Sequence, residues 1–436
     1  MTNDKKSFLI YIMPKKKSSS HKKKKPSSLP IVLLALLGTC VLVFFSFSLI
    51  KKTLTSKNLS NILETEWNVY RKDKPNFNGG VAMQVLTPKG DYFISTGIDK
   101  GMNNGYHFRT ASVSKTFTAA GIMLLQQRGL LNIDDTITAL IPGTDTPYLP
   151  ETEEYNIPYK KDITIKMLLM HRAGVFDISN NEITRNRFSY NKLYVGQNYL
   201  RYTEKYDPNH TFTFDELIGV VSSNQLAFFK PGDAYHYSDT GYSMLGKIIE
   251  RVSGKSFAEF VKQEFLVPNG LNDTVVVTNG SDLELPHPYA KGFDWADGEI
   301  AEVTHSNMSP HVAEGSVTTT PRDLATWAKR LFTGKAGLTK VSVQMMMDAC
   351  TSTGGKATTA SEYGLGLLCS KNGYGHNGAH EGYLSNMVYN PKTDVAYVIF
   401  TNIWNCQTCA TNLDSLKDEL KTLDEITNKV LQTLGY

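Results

Sequence analysis

Phe108-Arg109-Thr110-Ala111-Ser112-Val113-Ser114-Lys115 leads without a break into an apolar helical pattern over Thr116 to Gln127. Phe117, Ala120, Ile122, Met123, Leu124 and Leu125 recur with the spacing of one helical face, and Gly129 supplies a stop. A helix beginning near Ser112 puts residues three apart on one face, so the Lys115 ammonium lies one turn from the Ser112 hydroxyl. A serine hydroxyl is a weak nucleophile at neutral pH until a neighbour takes its proton. A lysine desolvated in a cleft, its pKa lowered by burial, does that. The spacing alone is unspecific, because Ser-x-x-Lys also occurs at Ser19, Ser20, Ser48 and Ser189. Read in isolation, Ser112 is a helix N-cap and Lys115 a solvated first-turn residue.

Two further motifs change that balance. Lys230-Pro231-Gly232-Asp233 marks a turn, and apolar periodicity resumes at Tyr242, which places Tyr237 and Asp239 on a short loop before a helix. A phenol beside an ammonium has its pKa pulled down and can relay protons to and from the serine or a leaving group. The plain alternative is Tyr237 as a packing residue and Asp239 as a helix cap. Further on, Tyr374-Gly375-His376-Asn377-Gly378-Ala379 ends a glycine-rich segment and opens a strand. Gly378 lets a substrate lie close against that strand, and the N–H groups of Ala379 and Ser112 are candidate donors to a developing oxyanion. A metal site at His376 and His380 would need both on a helix at i, i+4, which Gly375 and Gly378 disfavour.

In this order, Ser-x-x-Lys, Tyr-x-Asp and His-x-Gly resemble the serine β-lactamase and penicillin-binding protein superfamily. The nearest likeness is to class C β-lactamases, D-alanyl-D-alanine carboxypeptidases of the His-Thr-Gly type, and related esterases and D-amino-acid amidases. It runs from about Gly79 to Asn402, with further support from Ile163 to His171 with Gly174, Gly315 to Leu324, and Tyr363-Gly364-Leu365-Gly366. The resemblance implies an α/β (α+β) fold: an antiparallel sheet flanked by helices, with an inserted, mostly helical lobe and the active site between them. It implies Ser112 as the acyl-forming nucleophile, Lys115 as its base partner and Tyr237 as a general acid/base. Asp239 takes a position commonly filled by Asn, and His376 takes that of the third-motif lysine, moving the match toward carboxypeptidases and esterases. Asn377, Gly378 and Ala379 fall at the substrate-binding strand. Asn377 and Ala379 stand where His-Thr-Gly carboxypeptidases carry hydroxyl residues.

The net charge of +4 hides an asymmetry. Residues 1–52 hold eleven Lys and one Asp, leaving 35 basic and 41 acidic residues in the remainder. A folded part with that balance has no nucleic-acid surface. Leu29 to Ile50 is a 22-residue stretch without a charge, long enough as a helix to cross about 30 Å of hydrocarbon. Lys15 to Lys17 and Lys22 to Lys25 precede it while only Lys51 and Lys52 follow, so the N-terminus is expected in the cytoplasm and the folded domain outside. A cleavable signal fits less well, since the run is long and no small-x-small site follows. Lipidation at Cys40 is disfavoured by the apolar and hydroxyl residues continuing beyond it.

Four cysteines lie outside the anchor: Cys350, Cys369, Cys406 and Cys409. They allow three pairings if all are joined. Cys406-Gln407-Thr408-Cys409 has redox-motif spacing but lacks the βαβ context such a site needs. The expected order is a basic tail (1–28), an anchor (29–50), a connection with a first helix (51–75) and a hydrolase domain (76–436) whose helical lobe spans about 131–286. Strands are expected at Gly80–Val85, Tyr92–Ile98, His380–Tyr389 and Val395–Asn402. Helices are expected at Leu59–Tyr70, Ile163–Met170, Phe214–Ser222, Tyr242–Val252, Phe257–Phe265 and Leu413–Leu434. Asp177 to Asn209 has no clear period and reads as a surface loop able to line a cleft.

Together these features predict a membrane-anchored serine hydrolase working through an acyl-enzyme, without metal or organic cofactor. Its expected substrates are peptides ending in D-amino acids, as in peptidoglycan stems, with β-lactams as further ligands. The alternatives are an esterase, amidase or transacylase on small acyl substrates, or a non-hydrolysing penicillin-binding receptor or scaffold.

Overall fold

Pro88-Lys89 breaks two alternating apolar stretches, and in the computed structural model these become β1 (Val81–Thr87) and β2 (Gly90–Thr96). The Thr87 hydroxyl accepts from the Lys89 and Gly90 amides at 3.0 and 3.1 Å and closes the turn. The structure describes residue 15 and residues 53–356, 361–409 and 413–436. The expected anchor at 29–50, and the basic tail apart from Lys15, lie outside these. Among the described residues no helix is long and apolar enough to cross a membrane.

The hairpin joins an eight-stranded antiparallel sheet with β3 (Thr351–Ser352), β4 (Glu362–Tyr363), β5 (Leu368–Ser370), β6 (Gly373–His380), β7 (Tyr383–Asn390) and β8 (Val395–Thr401). Its spatial order is β2-β1-β8-β7-β6-β5-β4-β3. Val81 lies opposite Thr401, so the sheet is assembled from distant ends of the domain. β8 is buried along its whole length, as a central strand covered on both faces must be. Ala396, Val398 and Phe400 belong to the core shared with the helical lobe, while Val395, Tyr397 and Ile399 belong to the core behind the sheet.

Two helices cover the back. In α1 (described over residues 53–71), Leu59, Leu63 and Trp67 recur every four residues and are buried. A helix at the other end of the domain, Asp414–Leu434, presents Leu416, Leu420, Leu423, Ile426 and Val430 to the same core. A Lys429–Glu66 contact of 2.6 Å links the two. In front lie α2 (Lys115–Gln127) and α3 (Asp239–Ser253), with shorter helices Ile165–Leu169, Phe214–Asn224 and Phe257–Val261 in the expected lobe.

The structure corrects several expected boundaries. The strand expected at His380–Tyr389 is β7 and starts only at Tyr383; the glycine-rich stretch before it is itself a strand, β6, joined to β7 by a turn at Glu381-Gly382 with Gly382 at φ +80°. Glycines hide β6 from a propensity reading, yet close packing demands them. A Cβ on Gly375 would stand 1.8 Å from the Met387 carbonyl oxygen, and one on Gly378 would stand 2.1 Å from that of Thr110. Ser112 sits on a 3-10 turn, Ala111–Ser114, and the α-helix starts only at Lys115. α3 starts three residues before Tyr242, because the Ser238 hydroxyl caps it by accepting from the Gly241 amide at 3.1 Å. Asp239 is therefore the first residue of that helix rather than part of a preceding loop. The stretch expected as loop contains a helix, Tyr199–Tyr206, capped by Asn198, with Leu200 its one buried residue. Of the three possible cysteine pairings, the structure has Cys350–Cys369 with Cys406–Cys409.

Candidate active site

The serine turn is clamped from two sides. Thr110 donates to the Val317 carbonyl through both its amide (3.0 Å) and its hydroxyl (2.9 Å), and the Val317 amide donates back to Ser114 Oγ at 3.0 Å. From the sheet, Ser385 Oγ donates to the Thr110 carbonyl at 2.8 Å. Held so, Ala111 adopts φ +49°, a conformation that costs a non-glycine residue about 1 kcal/mol or more and persists only where the surroundings impose it. Gly378 is what lets β6 approach this turn.

Lys115 is fully buried. Its ammonium donates to Ser112 Oγ at 3.2 Å, to Asp239 Oδ1 at 2.6 Å and to the Glu314 carbonyl at 3.1 Å. Three donors meet three acceptors, so the charge is satisfied without water. Burial works to raise the Asp239 pKa, but the Lys115 charge and hydrogen bond outweigh it and hold the carboxyl below the usual range. Asn180 Nδ2 reaches Asp239 Oδ2 at 3.0 Å and Asp177 Oδ2 at 2.8 Å, bridging two carboxyls. Burial, then the charge of Asp239, pushes Asp177 up.

Tyr237 corrects an expectation. Burial first and the Asp239 carboxylate next drive its phenol well above its ordinary value, although Ser112 acts in the lowering direction. The reason is geometric: Lys115 Nζ lies over the Tyr237 ring, 4.6 Å from its centroid, while the positive charge is matched by Asp239. The Tyr237 hydroxyl is buried, lies near enough to Ser112 to feel it, and makes no well-aligned hydrogen bond. It is a protonated phenol next to the nucleophile.

His376 is likewise buried and uncharged. Burial, then Lys115, lowers it to about 3. Its ring meets the Tyr363 hydroxyl at 2.9 Å and the Asn377 carbonyl at 2.5 Å. His376 and Gly378 share the front face of β6. Asn377 is paired with Asn386, whose amide donates to Asp424 behind the sheet at 2.9 Å, so its side chain shares the back face. Residues four apart on a strand are separated by about 13 Å, so His376 and His380 cannot chelate one ion. Among the described residues no His, Cys, Asp or Glu cluster is arranged to hold a metal.

A cleft of about 380 Å³ opens beside the nucleophile. Ser112, Asp239 and Ala379 line it, while Lys115, Tyr237, His376 and Asn377 are not part of its wall. Asn180, Arg201 and Glu204, from the stretch expected as a surface loop, form part of its wall. Sequence reading assigned no part to His171, Asp177, Asn180, His311 or Glu314. His171 Nδ1 accepts from the Ser238 amide at 3.0 Å, and its ring lies 4.1 Å from that of Tyr237, so it fixes the loop carrying the phenol. The available signal was adjacency, since Glu314 immediately precedes the recognisable Gly315–Leu324 segment and His171 closes the Ile163–His171 segment.

The sheet, the helical lobe and a serine turn feeding a lysine-headed helix define the serine β-lactamase/transpeptidase fold superfamily. A family model described as Beta-lactamase matches residues 74–413, and the chain belongs to that family. Penicillin-binding protein 4* of Bacillus subtilis (strain 168) is 30% identical over 187 residues, 43% of this chain and 34% of that protein. Protein flp of Staphylococcus aureus (strain NCTC 8325 / PS 47) is 25% identical over 300 residues, 68% of this chain and 53% of that protein. The chain thus spans about a third to a half of the length of these curated relatives. Among solved structures, D-amino acid amidase from Ochrobactrum anthropi SV3 complexed with L-phenylalanine amide is similar with a TM-score of 0.67 and 24% identity, covering 87% of this chain and 98% of that one. The octameric penicillin-binding protein homologue from Pyrococcus abyssi gives 0.60 and 23%, covering 79% and 73%. At these identities the likeness establishes the fold.

Proposed function

We propose that this protein is a membrane-anchored serine hydrolase that forms an acyl-enzyme on Ser112 with peptides or amides of D-amino acids. The observation that carries the reading is Lys115 Nζ, 3.2 Å from Ser112 Oγ and 2.6 Å from Asp239, beside a buried phenol. With Tyr237 protonated, proton transfer takes the form of a relay. As Ser112 Oγ bonds to the carbonyl carbon, its proton passes to the Tyr237 oxygen while the Tyr237 proton passes to the leaving amine. Lys115 stabilises the negative charge developing along the relay, and the amides of Ser112 and Ala379 receive the oxyanion. The C–N bond breaks, the amine leaves neutral, and water attacks the ester by the reverse relay to release the acid. This order is supported by the direction of the Tyr237 shift, which leaves no phenolate to serve as a free base.

The D-amino-acid preference is supported by family membership and by the amidase among the structural neighbours. Carboxypeptidase action on peptidoglycan stems and capture of β-lactams are narrower forms of the same proposal. The uncharged run Leu29–Ile50 between lysine clusters supports an anchor with the catalytic domain outside the cytoplasm. Hydrolysis of a D-alanyl ester by the full chain in detergent, beside Ser112→Ala, tests the reading. Loss of at least a thousandfold in the variant is expected, and undiminished hydrolysis would refute it.

A further inference from the structure

Asn180 enters the cleft from a loop that leaves it little freedom. Asp177 Oδ1 accepts from the Ser179 amide at 3.1 Å, and Asn181 Nδ2 donates to the Asp177 carbonyl at 2.9 Å. Asn198 Nδ2 donates to the carbonyls of Ile178 and Ser179 at 3.1 and 2.9 Å, and the Ile178 amide donates to Thr240 Oγ1 on α3 at 3.2 Å. The loop is thus tied to itself, to the cap of the Tyr199–Tyr206 helix and to the helix that begins with Asp239.

The side-chain amide is fixed as firmly. Its nitrogen carries two hydrogens and both are used, since Nδ2 meets Asp239 Oδ2 at 3.0 Å and Asp177 Oδ2 at 2.8 Å. Asp239, ionised beside Lys115, can only accept, so the amide must turn its nitrogen toward it; the opposite orientation would set oxygen against oxygen. Asp177 and Asp239 are buried, whereas Asn180 is exposed and lines the cleft together with Ser112. What the side chain has left for the cleft is its carbonyl oxygen, Oδ1. Three hydrogen bonds, from Asn180 to Asp239, from Lys115 to Asp239 and from Lys115 to Ser112, connect this amide to the nucleophile. Each oxygen of Asp239 is already engaged, by Lys115 or by Asn180.

We propose that Asn180 Oδ1 is a specificity determinant that receives an amide N–H on the acyl side of the scissile carbonyl. The enzyme then prefers N-acylated amino-acid substrates, peptides among them, over isosteres in which oxygen replaces that N–H. This rests on the acyl-serine reading above and narrows it. The acyl side is the one retained on Ser112 through both chemical steps, so a fixed acceptor there orients acylation and deacylation alike. An uncharged acceptor suits an uncharged donor, whereas an ammonium is matched by a carboxylate. An oxygen in place of the N–H would put lone pair against lone pair and leave Oδ1 cut off from water without a donor.

The test compares kcat/KM of the full chain in detergent for N-acetyl-D-alanine p-nitrophenyl ester and its O-acetyl-D-lactate counterpart, each corrected for uncatalysed hydrolysis, in wild type, Asn180→Ala, Asn180→Leu and Ser112→Ala. Wild type is expected to favour the N–H substrate by at least about tenfold, the effect of one acceptor left without its donor. That ratio should fall to near one in Asn180→Ala, whatever the variant loses on both esters through its contact with Asp239. A merely structural role would lower both rates and leave the ratio unchanged. A wild-type ratio near one, or an unchanged ratio in Asn180→Ala, overturns the subsite. Should Asn180→Ala not fold, the wild-type ratio and that of Asn180→Leu decide. If Ser112→Ala is inactive while wild type does not discriminate, the subsite alone fails. If wild type hydrolyses neither ester, or Ser112→Ala hydrolyses both as wild type does, the acyl-serine reading fails with it.

Discussion

Asp239 does at the residue scale what a neutral amide at that position does not, because an ionised carboxyl pairs with the buried Lys115 ammonium at 2.6 Å. Removing one partner of a buried pair leaves the other charge without compensation, at a cost of about 3–5 kcal/mol. Asp239→Ala is therefore expected to lose that much stability at pH 7 in denaturant unfolding. Because the folded-state pKa of Asp239 is depressed, its contribution is present above the unfolded value near 4 and is lost as pH falls through the folded value. Wild type should lose this increment in acid, and the variant should have none to lose. A variant as stable as wild type at pH 7 would contradict the pair's role. The three motifs were legible as residue types in order. The state of Tyr237 was not, since a sequence pairs a phenol with a lysine but does not tell that Asp239 matches the ammonium charge or that the ammonium lies over the phenol ring.

At the scale of elements, β6 and the serine turn meet through Gly378, and the contact is a steric statement with a direct test. Gly378→Ala places a methyl 2.1 Å from the Thr110 carbonyl and 2.7 Å from Ser385 Oγ. Backbone cannot yield cheaply there, so the strand must withdraw, with a loss of about 1–3 kcal/mol or more and of at least a hundredfold in acylation rate. Thermal unfolding and acylation kinetics read the two effects, and a fully active, equally stable variant would remove β6 from the site's framework. Behind the sheet, Glu419 accepts from the Asn405 amide at 2.8 Å, and burial raises it to about 8. A raised carboxyl favours folding fully only below its unfolded pKa, so wild type should lose several kcal/mol between about pH 4.5 and 8. Glu419→Gln should flatten that slope in pH-dependent denaturation; an unchanged slope would assign it elsewhere. The outer strands and long helices were readable because their apolar periods are unbroken. β6 escaped because its glycines serve approach rather than propensity, and Tyr199–Tyr206 because a helix burying only Leu200 leaves no apolar stripe to find.

For the whole molecule, the sheet draws its strands from both ends of residues 76–436, a closure legible in the strands expected on either side of a helical middle. The proposed anchor is an expectation from composition: 22 uncharged residues between lysine clusters. The full chain is expected to sediment with membranes and remain there after alkaline carbonate extraction, whereas a chain deleted of residues 29–50 should stay in the supernatant. Release of the full chain by carbonate would contradict anchoring. The central claim is the covalent one, and it is tested most directly by intact-mass measurement of the full chain, acid-quenched during turnover of a D-alanyl ester, beside Ser112→Ala. The account predicts a single acyl increment on wild type, mapped to the peptide containing Ser112 and absent from the variant. An increment located elsewhere, or turnover by Ser112→Ala at the wild-type rate, would contradict it.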